Sequence, residues 1–398
     1  MSYRIASFNI QKFSRLSVMS GESGSTRKDL DAIGRIIREN DFDIIAIQEI
    51  FHQNALKELL EKVSLQYSAE CTGDDLHRGN KETGSFNINN LMNDSYGYRT
   101  KHWEGRWAAP NSSFGGNIAE GYAFIWNRDR IALVSNHMGE SFEPRIADFG
   151  NAAQALVRPP LIGRFMPING MYEFRLINTH IVYSAPVKNI DETEDAGSEI
   201  SATDTSDATL RINEFKSLVG SIYNEYSKMV YDKTGHDTNA RLLVPYTFLM
   251  GDYNLNLDSA KGAQSSAKLN ESLAGIELDG MKVVTVNDEL TTLKGKCQDP
   301  DKQRELRYNT NPQAHLANNY DHFSYDINTL IRHDIGDPTS GVIAAYDEFS
   351  GEETDIDSKF DVYRSKVSDH IPIYIDFDIR KRRRPRDTYE NGGCNEQG

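Results

Sequence analysis

The stretch "LMGDYNLNL", Leu249–Leu257, decides how this chain is read. Tyr246, Phe248 and Leu249 mark a buried strand. The apolar run then stops, and a carboxylate and a carboxamide, Asp252 and Asn254, stand two residues apart. Positions i and i+2 of an extended chain share a side. Both side chains are therefore expected to aim at one point.

The same pattern recurs at other strand ends. Asn9 closes a strand in "SFNI" and Glu49 closes another in "IQEI". Asn178 and His180 lie in "INTHIV", Asp321 interrupts "NNYDHF", and Asp369 and His370 open "SDHIPI". Such groups in apolar surroundings are costly unless paired or bound to metal. Gathered at one edge of a sheet, they form a cleft of carboxylates, carboxamides and two imidazoles. Oxygen-rich ligands without cysteine suit a hard cation, Mg²⁺ or Mn²⁺. Two histidines suit proton transfer near neutral pH. These are parts for attacking a phosphate ester.

Around these motifs the chain alternates strand and helix patterns. "YRIASFNI" and "FDIIAIQEI" read as strands, the second buried on both faces. "STRKDLDAIGRIIREN" between them reads as a helix, with Leu30, Ile33, Ile36 and Ile37 on one face and Ser25 or Thr26 as N-cap. "ALKELLEKV" is a second helix, and Leu210 to Tyr226 a third, amphipathic one. "EGYAFIWN" and "RIALVSN" are expected to pair across Arg128 and Asp129. The spacing implies one large α/β domain over residues 1–379, with insertions near 72–116, 186–208, 258–275 and 335–360. Residues 189–207 hold seven acids and no Lys or Arg, a solvated loop. Residues 380–398 form a polar basic tail, expected to be disordered, whose "RKRRRPR" also suits nuclear import or nucleic acid.

Composition bounds the partners. The 398 residues carry a net charge of −15, so bulk electrostatics oppose a polyanion unless a local groove or bound cations reverse the sign. Three widely spaced cysteines without CxxC suggest neither disulfides nor zinc, and favour a reducing, cytoplasmic setting over secretion. No apolar run is long enough to span a bilayer. No protein partner is indicated, and a monomer is expected.

"SFNI", "IQE", "AEGYAFIW", "NTH", "GDYN", "YDHF" and "SDHIPI", in that order over residues 3 to 378, resemble the endonuclease/exonuclease/phosphatase superfamily, the DNase I-like proteins. The resemblance implies a four-layer α/β/β/α sandwich: two mixed β-sheets packed together with helices outside. It implies a divalent-metal-dependent phosphodiesterase, a DNA endonuclease first of all. By resemblance, Glu49, Asn9 and Asp369 are metal residues, with Glu49 the principal ligand. His180 and His370 are the catalytic histidines, oriented by Glu120 and Asp321. Asp252 and Asn254 contact the phosphate, the attacking water or a second metal, while Asn178 and Arg158 bind substrate.

The chain also departs from DNase I. Gln11 and Phe51 stand where DNase I carries arginines that enter the minor groove. The superfamily's inositol phosphatases have a Trp-Cys-Asp-Arg element where "NNYDHF" stands, and a basic residue soon after "GDxN" that is missing before Lys261. Arg99, Lys101, Arg106, Trp103 and Trp107 are candidates to track a nucleic-acid backbone, although loop packing suits the tryptophans better. The alternatives are a phosphatase or sphingomyelinase-like branch, and a catalytically inactive binding protein.

Overall fold

Apolar strands buried on both faces need a layer on each side, and the chain supplies them. The computed structural model describes residues 2–13, 28–72, 95–110, 120–135, 141–148, 156, 158–168, 170, 172–181, 211–228, 244–256, 276–278, 280–287, 289–332, 338–349 and 358–379. One sheet contains β1 Ser2–Phe13, β2 Ile44–Ile50, β3 Glu70–Thr72, β4 Ser95–Arg99, β5 Trp103–Ala108, β6 Gly121–Asn127, β15 Thr339–Val342 and β16 Ile373–Asp378. The other contains β7 Ile131–Leu133, β8 Arg145–Ile146, β9 Leu161–Pro167, β10 Tyr172–His180, β11 Val244–Asp252, β12 Ile276–Leu278, β13 Met281–Val286 and β14 Asp321–Asp326. The helices are α1 Leu30–Glu39, α2 Gln53–Ser64, α3 over 211–228, α4 Pro300–Tyr308, α5 Ile327–Arg332 and α6 Lys359–Lys366.

The first sheet runs β15-β16-β1-β2-β6-β5-β4-β3 and the second β12-β13-β14-β11-β10-β9-β7, with β8 also on β9. β1–β2 and β10–β11 are parallel, whereas β16, β6 and β14 are antiparallel to their neighbours. Both sheets are therefore mixed. Phe124, Trp126, Ile375 and Phe377 of the first sheet interdigitate with Phe165, Phe174, Phe248 and Phe323 of the second. Edge-to-face rings, such as Phe124–Phe165 at 5.3 Å, add to the area buried there. On the outer faces, Ile33, Ile36, Leu56, Leu59 and Tyr363 cover the first sheet. Phe215, Leu218, Val219 and Ile222 of α3 cover the second. The result is the four-layer sandwich expected from the sequence.

Several local expectations change. β6 and β7 do not pair: the turn at 128–130 carries the chain from one sheet to the other, where β7 joins β9. Trp126 and Ile131 then enter the same intersheet core. The 72–116 and 335–360 stretches are not wholly insertions, since β4, β5 and β15 extend the first sheet. Trp103 and Trp107 are buried, and the Trp107 indole donates to Ile50 O at 3.0 Å. Arg99 pairs with Glu104 at 2.9 Å, and Arg106 is 2% exposed. These four are core and sheet residues rather than a backbone track. The helix α1 is capped by Asp29, whose carboxylate accepts from Ala32 N, and Ser25 and Thr26 lie outside the described residues. So do the 189–207 and 258–275 stretches and the 380–398 tail. Cys71 and Cys297 are free thiols.

Gly251 is the tightest point of the second sheet. Its φ is +139°, and a Cβ there would lie 1.9 Å from Thr179 O on the parallel neighbour β10. Gly251→Ala is expected to cost about 3 kcal/mol, since strain and overpacking act together. A lower urea midpoint at unchanged m-value would show it; an unchanged midpoint would contradict it.

Candidate active site

Sheet polarity brings the polar strand ends together. β1, β2, β10 and β11 end where β6, β14 and β16 begin, so Asn9, Glu49, His180 and Asp252 meet Glu120, Asp321 and His370 at one edge. In the second sheet, His180 pairs with Asp252 and Asp252 with Asp321, a single row across three strands. Ladder irregularities lie between Asn9 and Phe13 in β1 and between Ile47 and Ile50 in β2. Lys12, Glu49 and Asn254 adopt left-handed φ of 53°, 60° and 48°. Such bulges and strained residues re-aim side chains at functional sites.

Asp252 is the hub. It is 1% exposed, and its Oδ2 lies 3.5 Å from His180 Nε2 and 3.6 Å from His370 Nε2. The Asn9 amide donates to that same oxygen at 3.1 Å and to Glu49 Oε1 at 3.0 Å. Each imidazole is backed by an acid on its other nitrogen. His180 Nδ1 meets Glu120 Oε1 at 2.5 Å, and His370 Nδ1 meets Asp321 Oδ2 at 2.8 Å. Arg158 donates to the same Glu120 oxygen at 2.8 Å. The pairs expected from the sequence are thus in hydrogen-bond contact.

Asp252 and Asn254 do meet, but by a turn rather than by strand alternation. The strand stops at Asp252, whose Oδ1 accepts from Asn254 N at 2.8 Å. The Asn254 amide donates to Ile181 O at 2.8 Å. Asn9, expected as a metal residue, lies at the same edge. Its oxygen accepts from Gln11 N at 3.0 Å and its amide bridges the carboxylates of Glu49 and Asp252. Asn178 does not take the substrate-binding place expected for it. It is wholly buried, donates to Ile47 O and Ala123 O at 3.0 Å each, and accepts from Gln48 at 2.7 Å. It ties the two sheets together beneath the site and has no amide group left for a substrate.

The electrostatics show acids that favour positive charge. Burial pushes the His180 imidazole down, yet Glu120, then Asp252 and Glu49, raise it to about 9. Burial opposes the charged form of His370 as well, and Asp321 and Asp252 overcome it, leaving it well above the ordinary value. Burial raises Asp252 to about 6 against the pull of both imidazoles. Burial would also raise Glu49, but His180, the Asn9 amide and the Lys12 N–H hold it below the usual range. Asp369 is raised, chiefly by burial.

The donor set fits a hard divalent cation. Glu49, Asp252 and Asp369 offer only oxygen, and Asp369 Oδ1 and Asp321 Oδ1 are buried without a hydrogen-bond partner. Orphaned buried oxygens of this kind cost free energy unless an ion or water takes them. Asp252, Asp321 and His370 also offer ligand atoms within 4.8 Å of one another.

Some contributors were not legible as such. Gln11, noticed in the sequence only as a missing arginine, donates to Asp369 Oδ2 at 2.6 Å. Lys12 N donates to Glu49 Oε2 at 2.9 Å. Ser368 Oγ donates to Asn9 O at 2.7 Å and accepts from His370 N. Lys28 is buried and donates to Val367 O at 2.7 Å; burial lowers it to about 8, against Asp369 and Glu49. Gln11 and Lys12 follow "SFNI" directly and were findable by adjacency. Lys28 has no sequence signal, because its place depends on a contact with the far end of the chain.

A search of curated protein sequences finds no match. Among solved structures, a D. rerio TDP2 humanized by 14 mutations is similar at 11% identity and TM-score 0.46, covering 95% of this chain and 99% of that one. An endonuclease/exonuclease/phosphatase from Bacteroides vulgatus is similar at 10% identity and TM-score 0.46, covering 96% and 100%. TDP2 from Caenorhabditis elegans is similar at 12% identity and TM-score 0.44, covering 95% and 74%. The sequence pattern of the endonuclease/exonuclease/phosphatase family matches residues 6–370. That span takes in every motif from the strand bearing Asn9 to His370, and this chain belongs to the endonuclease/exonuclease/phosphatase family, whose members are hydrolases of phosphate esters.

Proposed function

We propose that the protein is a divalent-cation-dependent phosphodiesterase that cleaves DNA endonucleolytically, acting as a monomer. One observation carries the reading: the Asp252 carboxylate lies between two imidazoles, each fixed by its own acid, beside the oxygen donors of Glu49. A cation of the Mg²⁺ or Mn²⁺ type, held through Glu49 with Asp369 in support, would supply positive charge for the phosphate. A cation bound among these acids would offset their pull on His370, leaving Nε2 free to accept the proton of a water molecule while Asp321 holds the Nδ1 proton and fixes the tautomer. Asp252 orients that water. His180, kept protonated by Glu120, donates to the phosphoryl oxygen on which charge develops. Arg158 sets the Glu120 carboxylate and offers its remaining N–H groups to phosphate.

A diester is favoured over a multiply phosphorylated inositol. His322 stands where the inositol phosphatases' element has arginine, and it is wholly buried. Its ring nitrogens face Asn287 O, Leu255 O and Asn319 O, so it lends no cation to a ligand. Among the described residues no helix is long and apolar enough to cross a membrane.

The test is incubation of the purified protein with supercoiled plasmid, single-stranded DNA, RNA and a phosphomonoester panel, with Mg²⁺ and with EDTA. Plasmid nicking that needs Mg²⁺ and weakens steeply with salt is expected. Phosphate release from inositides without any nicking would overturn the reading.

A further inference from the structure

We propose that residues 294–308 form an arm that grips the phosphate backbone of a nucleic acid beside the scissile bond. This deepens the reading above and rests on it. The arm is fixed to the catalytic edge by backbone bonds. Thr292 bridges His370 in antiparallel fashion, Leu293 N donates to Asp369 O at 2.7 Å, and Ile371 N donates to Thr291 O at 2.7 Å. Arg364 adds a bond to Leu293 O at 3.0 Å. Lys294, the next residue, therefore begins the arm beside the backbone of Asp369 and His370.

The charge of this segment reverses that of the chain. Lys294, Lys296, Lys302, Arg304 and Arg307 face three acids, Asp299, Asp301 and Glu305, within a protein of net charge −15. Asp299 is already engaged as the cap of α4, accepting from Asp301 N and Lys302 N. Hydrophobic burial does not explain the helix either. Gln303 is its one buried residue, donating to Asp361 Oδ2 at 2.8 Å while its own oxygen accepts from Cys297 N. A helix without an apolar face is held by such anchors and leaves its remaining faces to solvent. Lys294, Lys296, Lys302 and Arg304 are exposed. Tyr308 is 73% exposed, with the Arg307 guanidinium 5.7 Å from its ring centroid.

Exposed cations spread along a segment that ends in an exposed ring suit a polymer of phosphates and bases. Nine helical residues span about 13 Å, the rise of roughly four base pairs. A small ester bound at Asp252 does not extend along that length, so the arm separates polymer from small substrate.

The triple variant Lys294→Ala/Lys302→Ala/Arg304→Ala tests this, with Lys282→Ala, on an exposed site at the far end of β13, as control. Plasmid DNA and bis(p-nitrophenyl) phosphate are hydrolysed under the same Mg²⁺ conditions over a salt series. The ratio of kcat/KM for plasmid to that for the small diester is expected to fall at least about tenfold in the triple variant. The plasmid salt slope should become shallower by roughly two to three. Gln303→Ala, which frees the helix, should lower the ratio as well, and Lys282→Ala should change neither quantity. An unchanged ratio and slope overturn the arm and leave the endonuclease reading standing. A wild type that hydrolyses the small diester but no polynucleotide overturns both. Loss of binding to phosphatidylserine vesicles with DNA cleavage unchanged would make the arm a lipid surface and end the inference.

Discussion

Glu49→Gln is expected to lower kcat/KM by about three orders of magnitude or more and to leave folding intact. The glutamine keeps the side-chain shape and an oxygen to accept from the Asn9 amide at the Oε1 position. It loses the second carboxylate oxygen, which accepts from Lys12 N, and it loses the charge. Glu49 sits at φ 60° on an irregular strand end, so the backbone already commits its side chain to the site. Its carboxyl is held below the usual range despite burial, mainly by His180, so at neutral pH it is a full anion facing the cleft. Removing that anion should weaken Mn²⁺ binding by about 100-fold, measured calorimetrically. Full activity of the variant, or full activity of the wild type in excess EDTA, would end the assignment.

The sandwich was readable because its strands are apolar on both faces and its helices on one. "FDIIAIQEI" and "LLVPYTFLMGDYN" can only be covered strands, and both occupy sheet interiors. Sheet membership was not readable. "EGYAFIWN" and "RIALVSN" are adjacent in sequence and alike in pattern, yet nothing in a period of two says which sheet a strand joins. Trp103 and Trp107 looked loop-like because a polar, glycine-rich stretch precedes them, and β4 and β5 interleave their aromatic residues with Gly, Glu and Arg. At the site, residue types told which groups converge, since buried charge has few other uses. They did not tell which partners each amide takes. Asn9 and Asn178 have the same side chain on strand interiors, but one bridges two carboxylates and the other ties two sheets. The difference is set by which acceptor oxygens lie within 3.1 Å, a property of the assembled sandwich alone.

Asp321→Asn is expected to cost about as much activity as His370→Ala, on the order of 10⁴-fold, and the double variant should be little worse than either. Asp321 is 1% exposed, and its Oδ2 takes the His370 Nδ1 proton at 2.8 Å. Its backbone is fixed by pairing with Asp252, so asparagine keeps the fold. The asparagine amide would donate to Nδ1 and drive the proton to Nε2, the atom that must accept from water. Removing the charge also removes the largest force that raises His370 against burial. The imidazolium then loses its proton at lower pH, by about one pH unit or more, as read from the His370 ring resonance of the metal-free variant. Two residues acting as one unit give losses that do not add. Losses that multiply to far below either single variant would argue against a working pair. So would an Asp321→Asn protein that keeps a tenth of its activity with an unmoved histidine titration.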